Sequence, residues 1–277
     1  MFLFQTLQVS LDKKTKSLSI FLKSNHIDFQ LIDELEKIFS WATEHLEIQS
    51  ILLTSEQDFF ANGFKIEEWH GQSFEDIKLY VRKIQKFIYS MFFLPQIIVI
   101  NLKNGANGVG IELAIPADIR ICSNIAKFKL NHLELGLIPV CGGVGFLSSI
   151  ISPSFVKNWL FSGKSFTAMD LLQCGYIHEI YDVRENDQSE RILMETLKQA
   201  PIARIQAKKQ FLELILPNLE KSMNIEYQSF LPILYIEDWK KIDNKLKDGS
   251  RAFCSPKDLK SKLKNFNDYD LNNSKIN

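Results

Sequence analysis

The 277-residue chain contains only four cysteines, and no two of them have the CxxC spacing of a zinc or redox motif. Scattered thiols of this kind are typical of a cytosolic protein rather than of a disulfide-stabilised secreted domain. Residues 1–16 also lack the charged start, long apolar stretch and small-residue cleavage site of a signal peptide. We therefore expect a cytoplasmic location.

Net charge and long hydrophobic runs are missing as well. The 33 basic side chains are balanced by 33 acidic ones, which argues against a large basic surface for nucleic acid. The most apolar stretch, residues 87–102, is interrupted by Pro95 and Gln96 and is too short to span a bilayer. We expect neither a nucleic-acid partner nor a membrane span.

What the chain does contain is an ordinary 45% of apolar residues, arranged with clear periodicity. The pattern predicts the order strand, helix, strand, helix, strand, which favours βαβ units and a largely parallel sheet covered by helices. The fold class is therefore α/β. The predicted elements are residues 16–23, 28–46, 50–55, 74–93 and 96–103.

Farther along, short strands are predicted at 117–123 and 126–130, and the β signal fades from about Ser152. Helical patterns then dominate. They cover residues 152–163, 167–175 and most of 201–249. We divide the chain into a core of residues 1–200 and a helical C-terminal region of residues 201–277, whose polar end, 265–277, we expect to be poorly ordered.

Glycine is scarce, yet seven of the twelve glycines lie between Asn104 and Gly145, together with Glu112 and His132. A dinucleotide fingerprint is excluded because its third glycine would fall on Leu113. The Gly-Lys-Ser/Thr end of a phosphate-binding loop is absent, and so is the G-x-S-x-G motif of hydrolases. The second cysteine of a zinc deaminase motif is also missing. We expect no metal and no cofactor.

The remaining interpretation is a strand, a glycine-rich turn and a helix whose first turn carries Glu112. Amides at a helix start lack partners within the helix and favour negative charge. A thioester oxygen that becomes an enolate oxyanion would be stabilised there, and one such donor is typically worth about 3 kcal/mol in a transition state.

Several segments in this order resemble the crotonase, or enoyl-CoA hydratase/isomerase, superfamily. Its glycine-rich motif is similar to "GVGIELAIPADI" and its second motif to "FKLNHLELGLIPVCGG". An upstream loop resembles "FFANGFKIEEW", and later segments resemble "GKSFTAMDLLQCGYIHEIYD" and "SRAFCSPKDLKSKL". The resemblance implies a crotonase-like ββα spiral core with a helical C-terminal trimerisation region. It also implies an acyl-CoA or acyl-carrier-protein thioester as the substrate and a homotrimer or dimer of trimers.

The resemblance also implies site residues. The backbone amides of Phe64 and Val109 would form an oxyanion hole, and Glu112 would be the first catalytic carboxylate. The second carboxylate of the hydratases falls on His132, whereas Glu134 is two residues out of register and is expected to be a surface or ion-pair residue. The resemblance therefore implies an enoyl-CoA hydratase, with an enoyl-CoA double-bond isomerase as the alternative. The alternative of another class is a catalytically inactive protein that binds acyl-CoA or serves as an oligomer partner.

Structural roles compete with these assignments. Glu112 alone would fit a helix-start carboxylate satisfied by free amides, and His132 alone would fit a hydrogen-bonded core residue. The glycines at 142 and 143 are predicted to permit close packing. The side chains of Phe60, Trp69 and His70 fit either an acyl pocket or the core, and the apolar segment 230–236 suggests an exposed patch that a trimer would cover.

Overall fold

The computed structural model describes residues 3–185 and 187–241, together with 253, 254, 258, 261–264 and 266. The strands in these ranges are β1 Leu7–Asp12, β2 Ser17–Leu22, β3 Ser50–Ser55, β4 Ile97–Asn101, β5 Gly105–Asn107, β6 Ile119–Ser123, β7 Lys127–Lys129, β8 Phe166–Thr167 and β9 Glu179–Tyr181. The helices are α1 Phe29–Glu44, α2 Phe74–Met91, α3 Val109–Leu113, α4 Leu147–Ile150, α5 Pro153–Ser162, α6 Ala168–Gln173, α7 Ser189–Leu197 and α8 Pro201–Ile236.

Two sheets carry the core. The larger sheet has the order β1-β2-β3-β4-β6-β9, and every neighbouring pair except β1 with β2 is parallel. Strand β3 is buried along its whole length, as expected for a strand covered on both faces. The smaller sheet, β5-β7-β8, begins with the strand that leads into α3. The predicted parallel sheet is confirmed.

Helices α1 and α2 begin where their polar caps allow. The Asp28 side chain accepts a hydrogen bond from the Leu31 amide, and Ser73 forms a reciprocal capping box with Asp76. Each helix buries its apolar face in the core, which confirms both predicted helices to within two residues of their ends.

Some elements escaped the sequence patterns. Strand β1 and helix α7 were not predicted, and β8 and β9 follow Ser152, where the β signal was expected to have faded. With two and three residues, β8 and β9 are too short to show alternation and depend on pairing with β7 and β6.

The C-terminal region is dominated by one helix. Helix α8 spans 36 residues within the segment predicted as mostly helical, and it continues through Pro217 and Pro232, although an internal proline removes a helical hydrogen bond. It begins at Pro201, but the division of the chain at residue 200 stays a prediction. The predicted tail, 265–277, lies outside the described residues except for Phe266, and so does much of the segment 250–263.

The two halves of α8 differ in burial. Residues 201–218 are mostly exposed, whereas the following half packs against the core. The exposed patch predicted for 230–236 is wrong, because Phe230, Leu231, Leu234 and Ile236 are buried by the chain itself. Apolar side chains are instead exposed in the first half, at Ile202, Phe211 and Leu214. None of the described helices is long and apolar enough to cross a membrane.

Candidate active site

The start of α3 places the Val109 amide. Strand β5 ends at Asn107, and Gly108 then takes a positive φ of 50° before the helix begins. A Cβ atom at Gly108 would lie 2.6 Å from Asn131 Oδ1, so a larger residue would have to displace the Asn131 side chain and would strain the backbone at this φ. As the first residue of the helix, Val109 has an amide without an acceptor in the preceding turn.

The Phe64 amide lies beside it. Ile27 forms a parallel β-bridge with Phe64. The Ile27 amide donates to the Gly63 carbonyl, and the Ile27 carbonyl accepts from the Lys65 amide, so the Phe64 amide takes no part in the bridge. A Cβ atom at Gly63 would lie 3.7 Å from the Val109 nitrogen, which puts the two predicted donors side by side. Within the described part of the chain, neither amide donates a hydrogen bond to another protein group.

Glu112 is completely buried and tied by four contacts. Its Oε1 accepts hydrogen bonds from the amides of Val140 at 3.1 Å, Cys141 at 2.8 Å and Gly143 at 2.9 Å. Its Oε2 lies 3.0 Å from His132 Nε2. The amides that satisfy Glu112 therefore belong to the second glycine-rich turn. The alternative of a helix-start carboxylate had assigned them to the first turn of its own helix.

His132 is buried at 2% exposure against Glu112. A hydrogen bond from Nε2 to an ionised carboxylate requires the ring proton on Nε2. The other ring nitrogen, Nδ1, is buried and has no hydrogen-bond partner among the described residues. An unpaired buried polar atom is uncommon, and the same is found in this structure at a few other side chains, so the catalytic role of His132 stays a prediction. The structure brings the two predicted catalytic side chains into direct contact.

A second glutamate, which sequence reasoning missed, reaches the same turn. Glu226 of α8 accepts hydrogen bonds from the amides of Gly142 at 2.6 Å, and of Val144 and Gly145 at 3.0 Å each. Burial and the nearby charge of Glu112 raise the pKa of Glu226 to about 7. No local spacing connects Glu226 with residues more than 80 positions earlier, so no sequence signal indicated it.

We name residues 140–145 the amide loop. Its six backbone amides are divided between the two carboxylates, three to Glu112 and three to Glu226. The loop also contains Cys141, and burial together with the charge of Glu112 raises the pKa of that thiol well above its ordinary value. The thiol therefore stays protonated and is a poor nucleophile.

The other predicted residues have structural surroundings. Glu134 pairs with Lys129 at 2.8 Å and is partly exposed, which confirms the expected ion-pair role. A Cβ atom at Gly143 would lie 2.7 Å from Glu112 Oε1, which confirms close packing there. Trp69 is buried against Phe230 and Trp239, as in a core. Phe60 is fully buried as well, whereas His70 is exposed.

A cavity of about 520 Å³ lies elsewhere, between the first half of α8 and the starts of β4 and β6. Its lining is mostly apolar and also contains polar side chains, namely Asp118, Arg120, His178, Arg204 and Lys208. It includes none of the four predicted site residues, Phe64, Val109, Glu112 and His132. Among the described residues, no group of three or more His, Cys, Asp or Glu side chains is placed to hold a metal ion. The expected absence of metal and cofactor stays a prediction.

The chain is similar to known proteins along most of its length. Residues 22–254 match the family model described as Enoyl-CoA hydratase/isomerase. The probable enoyl-CoA hydratase 2, mitochondrial, of Arabidopsis thaliana is 23% identical over 77% of this chain and 72% of its own length. The carnitinyl-CoA dehydratase of Salmonella arizonae is 34% identical over 41% of this chain and 44% of its own length.

Among solved structures, an enoyl-CoA hydratase/isomerase from Pseudoalteromonas atlantica superimposes with a TM-score of 0.79. The alignment covers 90% of this chain and 100% of that one, at 19% sequence identity. At this level of identity the likeness shows the fold alone.

Proposed function

Because the chain belongs to the enoyl-CoA hydratase/isomerase family of the crotonase superfamily, we propose that it hydrates a 2-enoyl thioester or dehydrates the corresponding 3-hydroxyacyl thioester. The family acts on acyl-CoA thioesters, and the chain has the crotonase fold with a helical C-terminal region. Coenzyme A is then part of the substrate, and an acyl-carrier-protein thioester is the alternative carrier.

The two unengaged amides supply the electrophilic part of this reaction. When the oxygen of water bonds to Cβ, the double-bond electrons move to the thioester oxygen and give an enolate. The amides of Phe64 and Val109 donate to that oxygen, and each donor contributes about 3 kcal/mol if its hydrogen bond strengthens in the transition state. Val109 contributes only its backbone amide to the oxyanion hole, so a valine side chain at this position is compatible with the proposal.

Glu112 and His132 supply the proton transfer. Three amides occupy Oε1 of Glu112, so Oε2 is the oxygen that exchanges a proton. His132 Nε2 lies 3.0 Å from Oε2, and the pair can remove one proton from water and deliver one to Cα. The net change is the addition of one water molecule across the double bond. This contact beside two unengaged amides is the observation that carries the proposal.

The same contact leaves a double-bond isomerase as a second candidate. An isomerase needs only one exchanging oxygen, which removes a proton at one carbon and returns it at another, two positions away. The three amides on Oε1 leave Glu112 with one such oxygen. Isomerisation conserves the substrate mass, whereas hydration adds one water, so product mass separates the two candidates.

The test is a panel of 2-enoyl-, 3-enoyl- and 3-hydroxyacyl-CoA thioesters, with product mass and double-bond position recorded together. We expect gain or loss of water, abolished in Glu112→Gln. Retained mass with a moved double bond would favour the isomerase. If neither occurs, exchange of the Cα proton of a saturated acyl-CoA in heavy water identifies a working base, and its absence leaves a protein that only binds thioesters.

Assembly is proposed separately. The apolar side chains exposed on the first half of α8 support a homotrimer or a dimer of trimers, because contiguous apolar surface on a helix is costly in water. Sedimentation velocity at micromolar concentration tests this. A monomer would contradict it, whatever the catalytic result.

A further inference from the structure

The amide loop is held from both sides. Glu112 approaches it from the core, and Glu226 approaches it from α8. Along the chain the amides alternate in part, because Gly142 donates to Glu226 while Cys141 and Gly143, its two neighbours, donate to Glu112. Adjacent peptide planes therefore serve different carboxylates.

Only a single stretch of backbone, the amide loop, separates the side of Glu112 from the side of α8. A Cβ atom at Gly143 would lie 2.7 Å from Glu112 Oε1, and one at Gly145 would lie 1.9 Å from Ser222 Oγ of α8. The buried Gln85 adds a third connection, since its Nε2 donates to the carbonyls of Val140 and Met223. A shift of α8 at this point would be transmitted directly to the donors of Glu112.

We propose that Glu226 is a positioning residue for Glu112: it fixes the amide loop so that the amides of Val140, Cys141 and Gly143 point at Glu112 Oε1. This role rests on the proposed function only for its kinetic consequence. Neighbouring peptide planes share backbone dihedrals, so holding the amides of Gly142, Val144 and Gly145 restricts the orientation of the other three. The reacting oxygen of Glu112 is then left facing His132.

The full set of contacts needs the ionised carboxylate at position 226, the form that prevails above a pH of about 7, so the variants are compared above that pH. One oxygen accepts from Gly142 and the other accepts from Val144 and Gly145, so both oxygens act as acceptors. A glutamine has the same shape but only one acceptor oxygen. Its NH₂ group would face an amide N–H in either orientation, donor against donor. Glu226→Gln thus removes part of the loop's anchor while it keeps the packing volume.

Glu220 provides a matched control. It lies on the same helix, accepts a hydrogen bond from Tyr89 Oη at 2.8 Å and is exposed, but it makes no contact with the amide loop. Glu220→Gln therefore repeats the chemical change on α8 without touching the loop. Glu226→Asp is the second variant, since loss of one methylene withdraws both oxygens while the charge remains.

The first measurement is residue-resolved hydrogen–deuterium exchange of the amide loop. We expect Glu226→Gln to accelerate exchange at residues 140, 141 and 143, the amides that Glu226 does not bind, by at least about tenfold. Glu220→Gln should leave them protected. Should Glu226→Gln fail to fold, Glu226→Asp carries the same test. Unchanged protection of these three amides would overturn the proposal.

The second measurement is steady-state kinetics on the thioester that the wild-type protein turns over. We expect Glu226→Gln to lower kcat by about tenfold and to change KM by less than about threefold, because the amides of Phe64 and Val109 are untouched. An unchanged kcat at a temperature where the variant is folded would overturn the positioning role. A wild-type protein inactive on every thioester would instead overturn the proposed function, and the exchange measurement would still decide this inference.

Discussion

Glu112 and Glu226 are both buried glutamates, and each accepts three amides of the same loop. They differ in whether both carboxylate oxygens bind backbone amides. Both oxygens of Glu226 accept backbone amides, whereas Oε2 of Glu112 meets the His132 ring. Burial and charge alone therefore do not distinguish a reacting carboxylate from a supporting one. The His132 ring on one oxygen is the feature in which the proposed reacting carboxylate differs from the proposed supporting one.

The largest expected effect comes from Glu112→Gln. The amide cannot exchange a proton in the reaction, so we expect kcat to fall at least about a hundredfold while thioester affinity is retained. Turnover and calorimetric binding of a saturated acyl-CoA measure the two quantities. Glu134→Gln, a change in a neighbouring ion-pair residue, is the control and should be near wild type. Full activity of Glu112→Gln would refute the assigned mechanism.

His132→Gln is expected to lower kcat by roughly ten- to a hundredfold, because the exchanging oxygen of Glu112 loses an imidazole partner. His132→Glu places a second carboxylate where the family's hydratases have one. It should raise the ratio of hydration to isomerisation, measured as product mass against double-bond position. If both variants match the wild type, His132 is a packing residue and Glu112 acts without it.

Two glycine substitutions address the two sides of the amide loop. Gly143→Ala would press a methyl group on Glu112 Oε1, so we expect about a tenfold loss of kcat. Gly145→Ala would collide with Ser222 and should mainly lower the free energy of unfolding, by about 1 to 3 kcal/mol.

The double variant Gly145→Ala/Ser222→Gly removes the two colliding side-chain atoms and should recover part of that loss in urea unfolding. No recovery would mean that the collision with Ser222 does not cause the loss of stability. Equal loss of kcat in Gly143→Ala and Gly145→Ala would show that the side facing Glu112 and the side facing α8 affect turnover alike.

The last prediction concerns stability and leaves turnover aside. The pKa of Glu226 is raised to about 7 by burial and by the charge of Glu112, so the folded protein holds this proton more tightly than the unfolded chain. Its contribution to stability is present below the unfolded-state pKa and is lost as pH rises through about 7. Relative to Glu226→Gln, the wild type should lose up to about 3 kcal/mol over this window.

Urea unfolding of both proteins at several pH values from about 5 to 8 measures this difference. Glu112 and the neutral thiol of Cys141 interact electrostatically with Glu226, and both remain in the variant. A difference between the two proteins that stays constant with pH would show that Glu226 does not titrate in this range.

Much of the fold was predictable because its signals are local. The apolar run of β3 and the capping residues of α1 and α2 act on their own segments, and the structure places these elements as expected. Strands β8 and β9 were not predicted from periodicity, and their strand character depends on pairing with β7 and β6. The burial of residues 230–236 likewise depends on what the helix packs against.

Of the candidate site, four positions were predicted from collinear motifs of the resembling family: Phe64, Val109, Glu112 and His132. Close packing at glycines 142 and 143 was predicted as well, because a residue without a Cβ atom lets other groups approach the backbone. The amides that satisfy Glu112, and the approach of Glu226 to the same loop, became visible only in the folded chain. The reason is physical: hydrogen bonds between residues more than 80 positions apart depend on how helices and sheets pack, and no local spacing encodes them.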